Sequence, residues 1–493
     1  RYDRPMNVKD GAAHLRALDK DRAVYLDGDL ITRVADHPAF AAACRSAAAL
    51  YDFQAAAENV ERMTFETETG RRVSRAWQMP QSYDELVARR EALTAWAELH
   101  AGFLGRSPDH LASSIAGQVM GIEVFERHGE RYAQALRDYY AYARDNDLYL
   151  SYVIVNPQGD RSKSWGEQPS EEMTMRVVDE DAEGVTVRGA KMLGTGSIMA
   201  EEILVATLQP IQPGEERFAI SFALPLDARG IKVLSRRSYE ANAVSPWDYP
   251  LSHRFDENDS IVYFDDVKVP WERVFVFGDT DMCRAQFHDT PGHAFQNYQS
   301  QIRLVVKLKF LLALGRRIAE TIGTVAMAPV REQLGEMASE VAAVEGLLYG
   351  MESAGGMVGD YYVPNTSMMY AAQVQTQALY PRLIDGIRSL AGGSLIMLPS
   401  SVADLENPEI APLFERTQVS ARPGEGAAER MALMKLAWDA VGSEFGGRHT
   451  QYEMFYAGAK FVTTTHCFRR YDWADADRIL QGLLASNESL GEP

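Results

Sequence analysis

Hydrophobic periodicity changes twice along this chain of 493 residues, and that double change restricts its fold more than any single motif. From about Asp10 to Asn146 the sequence is alanine-rich. Stretches such as His37 to Tyr51 and Ser82 to Gly105 repeat apolar residues at three- and four-residue spacing, which predicts helices. Near Asp147 the character changes. Met173 to Val178, Val185 to Arg188, Glu202 to Thr207, Phe218 to Leu224, Ile231 to Leu234 and Ser260 to Val269 are short β-rich runs, separated by turn signals such as Glu183-Gly184, Pro213-Gly214 and Arg229-Gly230. Past Trp271 the helical period returns. Ile302 to Thr324 carries an apolar stripe too wide for a helix wet on one side, and Val341 to Met351 and Met431 to Val441 continue it. The pattern predicts an α+β, mostly α protein: an N-terminal helical domain (1–147), a middle antiparallel β domain (148–275), and a C-terminal helical bundle with a tail (276–493). The stripe and the Val341 to Met351 helix are expected to expose more apolar surface than one subunit covers, so a homotetramer is expected.

Charge narrows the partners. With 69 acidic residues against 50 basic ones the formal charge is -19, which repels nucleic-acid backbones and anionic lipid; an electron-transfer partner or a small neutral substrate suits it better. Cys44, Cys283 and Cys467 are far apart and form no CxxC pair, which argues against structural zinc, an iron–sulfur cluster and a disulfide framework; no metal site is expected. The first ten residues lack the apolar core of a signal peptide and no run of about 18 apolar residues occurs, so a cytoplasmic protein is expected.

Walker, GxGxxG, HExxH and GxSxG motifs are absent, which removes the usual nucleotide and hydrolase readings. Four polar clusters remain. In Gly105-Arg106-Ser107-Pro108-Asp109-His110 a proline fixes a turn and Ser107 or Asp109 can cap the following helix; a capping loop explains it equally. Ser151-Tyr152, followed by Asn156-Pro157-Gln158-Gly159-Asp160-Arg161-Ser162, reads either as a domain linker or as amides and side chains able to hold a heteroaromatic ring or a pyrophosphate. Gly189 to Ser197 ends in Gly194-Thr195-Gly196-Ser197, where small residues permit close approach of a ligand to the backbone, or mark a β-bulge. Gly442 to His449 follows a helix; its free amides and Arg448 could take a phosphate, while Gly442 alone explains a helix end.

In their order, these segments resemble the 4-hydroxyphenylacetate 3-hydroxylase family, the oxygenase components of two-component flavin-dependent monooxygenases. The likeness also takes in Arg22 to Asp29, His37 to Phe40 with Leu50 to Asp52, Asp248 to Asp259, Val269 to Glu272, Leu398 to Ser401 and Gly442 to Glu453; the last forty residues match weakly. The resemblance implies an acyl-CoA-dehydrogenase-like fold, a homotetramer, and FAD used as FADH2, supplied by diffusion from a separate NAD(P)H-dependent reductase. Molecular oxygen would add at flavin C4a, and the hydroperoxide would hydroxylate an electron-rich aromatic substrate of phenol type, tyrosine-derived ones included, free or tethered to CoA or a carrier protein. It implies Arg106, His110 and Tyr152 at the reacting centre, with Thr195 and Ser197 also against substrate. Asn156, Gln158, Arg161, Ser162, Thr195, Ser443, Phe445, Gly446, Gly447 and Arg448 are then expected to hold FAD.

One departure stands out. Relatives of the hydroxyphenylacetate type carry tyrosine where this chain has His110 and histidine where it has Tyr152. Either the pair recognises a phenol with roles reversed, His110 as base, or the pocket is refitted for another electron-rich substrate such as an indole, pyrrole or amine, or neither residue touches substrate. Halophenol-type relatives instead use a histidine at the start of the long C-terminal helix. The comparable stretch here, Gln296 to Gln299, has none, which argues against chlorophenol or nitrophenol oxidation. A 4-hydroxybutyryl-CoA-dehydratase-like enzyme needs a cysteine and histidine spacing that is not present; a non-catalytic flavin-binding homologue is the rival of another class.

Overall fold

The computed structural model describes residues 8–489. Helices fill the first part of the chain, two sheets the middle, and a bundle of long helices the rest, which is the predicted order. The larger sheet has six strands, in the order Asp29–Ile31, Val24–Leu26, Ile231–Ser235, Ser260–Pro270, Gly184–Met192, Arg176–Glu180. The smaller has four: Val274–Phe277, Ile220–Pro225, Glu202–Val205 and Leu150–Val153. Most ladders are antiparallel. Two are parallel, Val24–Leu26 against Ile231–Ser235 and Leu150–Val153 against Glu202–Val205. The larger sheet thus recruits two strands from before residue 32, a stretch expected to be helical. A hairpin at Asp27-Gly28, both with positive φ, carries them.

Strand Ser260–Pro270 shows how pattern becomes structure. Buried and outward residues alternate until Asp265 and Asp266, both exposed, where one extra residue bulges out between the Phe264–Gly189 and Val267–Val187 pairs. Without the bulge, Val267 and Val269 would turn outward; with it they stay in the core.

The bundle is organised around one helix, Gly292–Thr321, about 45 Å long at 1.5 Å per residue. It packs against Pro108–Met120, Ala328–Ser353 and Thr366–Ala391. Ile302, Leu304, Val305, Leu308 and Leu311 are therefore covered by the chain's own helices, which corrects the expectation that this stripe needs a neighbouring subunit. Large apolar side chains are exposed elsewhere. Phe461, Phe468, Tyr471, Trp473, Leu480 and Leu483 lie in or between the last two helices, Lys460–Arg470 and Trp473–Ser489. No helix among the described residues is long and apolar enough to cross a membrane.

The first half of Gly292–Thr321 is buried on every face, yet carries Gln296, Asn297, Gln299, Gln301, Arg303 and Lys307. Buried polar groups in such number require partners. Those partners build the site.

Candidate active site

A cavity of about 760 Å³, within the range of small-molecule and cofactor sites, opens where the larger sheet, the Gly292–Thr321 helix and the Glu444–Phe455 helix meet. Ile154, Val155, Met192, Leu208 and Phe287 give it apolar walls; Arg106, Tyr152, Thr195, His293, Asn297 and Arg448 give it polar ones.

Arg106 arrives from the turn before helix Pro108–Met120. Gly105 is required there, because a Cβ would stand 2.5 Å from the Tyr452 hydroxyl. The Arg106 backbone N–H donates to Glu257 at 2.9 Å. Its guanidinium donates through Nη1 to His110 Nε2 at 2.7 Å and through Nη2 to the Tyr456 carbonyl at 3.2 Å. Cζ lies 5.3 Å from the Tyr152 ring and 5.5 Å from the Tyr452 ring. Among the described residues no carboxylate approaches this guanidinium within ion-pair distance; rings and neutral acceptors surround a buried cation.

His110 stands behind Arg106, away from the cavity lining. Burial, then the charge of Arg106, holds its imidazole well below the usual histidine range. Both ring nitrogens are engaged inside the protein, Nδ1 with Gln299 Oε1 at 2.9 Å and Nε2 with Gln296 Nε2 at 3.0 Å, while Arg106 Nη1 lies 2.7 Å from Nε2 and 3.4 Å from Nδ1. The expected role of His110 as the base that takes a substrate proton is corrected on that ground. Tyr152 does line the cavity, 5.6 Å from the His110 ring, and its hydroxyl joins no hydrogen bond among the described residues.

The histidine that reaches the cavity is His293. The long helix begins at Gly292, after Thr290 and Pro291, and Thr290 Oγ1 accepts from the Gly292 N–H at 3.1 Å. It starts four residues before the stretch compared above, so its first turn does carry a histidine. That removes the argument against nitrophenol and chlorophenol substrates. His293 Nδ1 and the Tyr370 hydroxyl are 2.8 Å apart, and burial with nearby His288 and His466 holds the ring neutral. The signal was present in sequence as Thr-Pro-Gly, a helix-start pattern.

Joined to Arg106 through Glu257 stands an ion-pair group of two arginines and three acids. Arg448 donates to Asp259 through Nε at 2.8 Å and Nη2 at 2.6 Å, and to Glu257 at 2.8 Å; Arg236 donates to Asp259 at 2.7 Å and to Asp256 at 2.8 Å. Thr195 also gives its hydroxyl proton to Asp259, at 2.7 Å. Despite burial, the two guanidinium groups hold the Asp259 carboxyl far below the usual range.

The remaining expected residues divide. Thr195 and Arg448 line the cavity. Ser197 does not, since its hydroxyl pairs with Ser260 at 2.9 Å inside the sheet layer. Gln158 and Arg161 border a separate opening of about 620 Å³ with Trp165, Gln209 and Gln212, while Ser162 bonds Asp160 at 2.7 Å. Asn156 is wholly buried with both amide atoms unpartnered. Gly442 to His449 offers no row of free amides. Ser443 caps the next helix, accepting from Gly446 N–H on its side chain at 3.0 Å and from Gly447 N–H on its carbonyl at 2.9 Å. Phe445 packs on Phe103, Gly446 abuts the Ala440 carbonyl, and Gly447 is exposed. Arg448 alone of that segment reaches the cavity. Among the described residues, no group of three or more His, Cys, Asp or Glu could hold a metal ion.

Comparison with known proteins places this geometry. Residues 10–276 match the family model described as 4-hydroxyphenylacetate 3-hydroxylase N terminal, and residues 283–485 match the C terminal one. The chain belongs to the 4-hydroxyphenylacetate 3-hydroxylase family. It is 33% identical to the 4-hydroxyphenylacetate 3-monooxygenase oxygenase component of Geobacillus sp. (strain PA-9), over 92% of each chain. With the 4-nitrophenol 2-monooxygenase oxygenase component of Rhodococcus sp. it shares 35% identity, over 97% of this chain and 91% of the other. A crystal structure of the oxygenase component of 4-hydroxyphenylacetate 3-monooxygenase complexed with FAD and 4-hydroxyphenylacetate superposes with a TM-score of 0.91 at 30% identity, over 98% of this chain and all of the other. The fold is that of the family.

Proposed function

We propose that this chain is the oxygenase component of a two-component flavin-dependent monooxygenase that hydroxylates a phenol. The observation that carries the reading is Arg106, a buried guanidinium with no carboxylate partner, facing an apolar cavity shared with a neutral imidazole and an uncommitted tyrosine hydroxyl. A buried unpaired cation calls for an anion. A phenolate, or a reduced flavin, brings one.

FAD fits the residues present. The apolar walls suit a planar ring, Arg106 suits a ring that becomes anionic on reduction, and the unpartnered Asn156 amide and the second opening at Gln158 and Arg161 suit its polar remainder. When bound and reduced, it would activate dioxygen and supply the oxygen atom transferred. The chain's own part is then threefold. Arg106 stabilises negative charge on the phenol oxygen. His293, in the tautomer whose Nδ1–H donates to the Tyr370 hydroxyl oxygen, takes the phenol proton on its ring nitrogen Nε2. Tyr152 offers its hydroxyl as a donor across the same space. The apolar walls keep water away while the reaction proceeds.

An amine substrate is disfavoured. Asp259, the carboxylate in the cavity wall, is consumed by Arg236, Arg448 and Thr195, so an ammonium group finds no partner there. A separate reductase supplying FADH2, a homotetramer and a cytoplasmic location complete the reading; the exposed apolar residues of the last two helices support assembly. The test is oxygen consumption with photoreduced FAD against phenols, nitrophenols, indoles and pyrroles, separating product from released hydrogen peroxide. Hydroxylated phenols are expected. Peroxide alone from every phenol, with product from an indole or pyrrole, would replace the reading by the refitted-pocket one.

A further inference from the structure

We infer that Leu193 is a binding residue for the flavin: its side chain supplies apolar contact to the flavin ring, and that contact is why a leucine stands at a backbone position suited to glycine. The inference rests on the reading that the cavity beside Arg106 holds FAD.

Strand Gly184–Met192 ends at a bulge. Met192 pairs with Ile261, and the next bond to that partner strand runs from the Gly194 N–H to the Ser260 carbonyl at 2.9 Å, so Leu193 is the extra residue between the two. Its φ is +62°, in the left-handed region, where such a bulge ordinarily places glycine. Glycine is next door instead. Gly194 is required for another reason, since a Cβ there would stand 2.6 Å from Ser260 Oγ. Among the described residues, Asp27, Ala101, Asp147, Leu193, Asn258 and Asp266 have positive φ without being glycine. Asp and Asn visit this region at lower cost because their short polar side chains bond locally, and alanine has only its Cβ. Leu193 is the one large apolar side chain of the set.

The fold itself gains little from this leucine. Its side chain is 52% exposed, while Val187, Val262 and Phe264 of the same sheet are buried. It lines the cavity together with Arg106, Tyr152 and Thr195. A strained residue that the core does not secure, placed on a ligand cavity, is a candidate for contact with the ligand. An aromatic ring covering the exposed half of the side chain removes apolar area from water and offsets the strain. The cavity, about 760 Å³, is larger than a phenol alone fills, and the groups that handle the phenol, Arg106, Tyr152 and His293, come from other segments. The flavin ring is the larger apolar surface available to Leu193.

The test separates contact from folding. Leu193→Asn keeps a residue suited to positive φ and removes the apolar contact; Leu193→Met keeps an apolar side chain. The probe is photoreduced FAD, titrated anaerobically into the full chain by calorimetry. Leu193→Asn should weaken binding about tenfold, the loss expected for uncovering about half of a leucine, and Leu193→Met should bind within about threefold of wild type. Flavin-free Leu193→Asn should unfold at a temperature no lower than wild type, bind 4-nitrophenol as wild type does, and keep the mass of wild type in light scattering. Leu193→Gly repeats each measurement should the asparagine variant fold poorly. Reduced FAD bound by these variants within about threefold of wild type would overturn the inference. So would a lower unfolding temperature in both, which would show that the fold holds the leucine, a loss of 4-nitrophenol binding equal to that of FAD, which would give the contact to substrate, or a smaller mass, which would give it to a second copy of the chain. If wild type itself shows no saturable binding of reduced FAD, the reading of the cavity fails, and not the assignment of Leu193 alone.

Discussion

Two of the arginines that face the cavity live under opposite rules. Arg448 shares Asp259 with Arg236 and reaches Glu257 as well, so all three of its guanidinium nitrogens are directed at acids, and with Asp256 that wall holds three acids against two arginines. Arg106 has an imidazole, a carbonyl and two aromatic faces. Burying an ion pair is close to neutral for stability once its hydrogen bonds are complete; burying a cation among neutral partners is costly unless a ligand is to complete it. The Arg448 wall is therefore architecture, joining the sheet to the Glu444–Phe455 helix. The Arg106 wall is where chemistry is expected.

Breaking the ion-paired wall should give the largest effect. Asp259→Ala leaves Arg448 and Arg236 without their shared acid and should cost about 3–5 kcal/mol of folding stability, measured by denaturant unfolding. A loss below about 1 kcal/mol would mean that the two arginines do not depend on that carboxylate. Next comes the proton acceptor. His293→Phe should lower the hydroxylation rate by about a hundredfold, the lower end for loss of a positioned base, with little change in stability; His110→Gln should spare the acid–base step itself. A rate in His293→Phe within threefold of wild type would move proton abstraction to another group.

Acid sharpens the contrast at smaller scale. Asp259 is held far below the usual carboxylate range, so its contribution is fully present above the unfolded value near ~3.9 and is lost progressively as pH falls below that value toward the folded one. His110 has the same sign at higher pH. Its folded pKa is depressed below the ordinary ~6.5, so the unfolded chain binds the proton first, and stability falls as pH drops below about 6.5 until the folded value is reached. The slope per such histidine is at most about 1.4 kcal/mol per pH unit. Urea titrations between pH 7 and 5 should show His110→Gln with a shallower dependence than wild type by that amount; equal slopes would mean that His110 already carries charge when folded.

The order of helices and strands was legible because period is local, and so was Arg106, which a proline turn and a helix start mark in sequence. Three things were not. His293 was missed because the long helix was compared from Gln296, although Thr290-Pro291-Gly292 marks an earlier start. Ser443 was read as following a helix with open amides, whereas its hydroxyl caps the next helix, a choice that depends on where the chain goes afterwards. The hydrogen bonds of Gln299 with Asp109 and His110 join residues nearly two hundred positions apart, and no spacing rule carries them. The stripe from Ile302 is a subtler case. Its width was a sound sign of burial, but sequence does not say whether a neighbouring helix or a neighbouring subunit does the covering.

The central claim is that the unpaired guanidinium serves the reaction. Arg106→Ala, supplied with photoreduced FAD, oxygen and the best phenol of the panel, tests it through product formed per oxygen consumed. Removing one preorganised donor typically costs about 3 kcal/mol of barrier, on the order of a hundredfold in rate, and the variant should fold normally while turning most oxygen into hydrogen peroxide. A variant that hydroxylates with the yield of wild type would place Arg106 outside the chemistry and contradict the account.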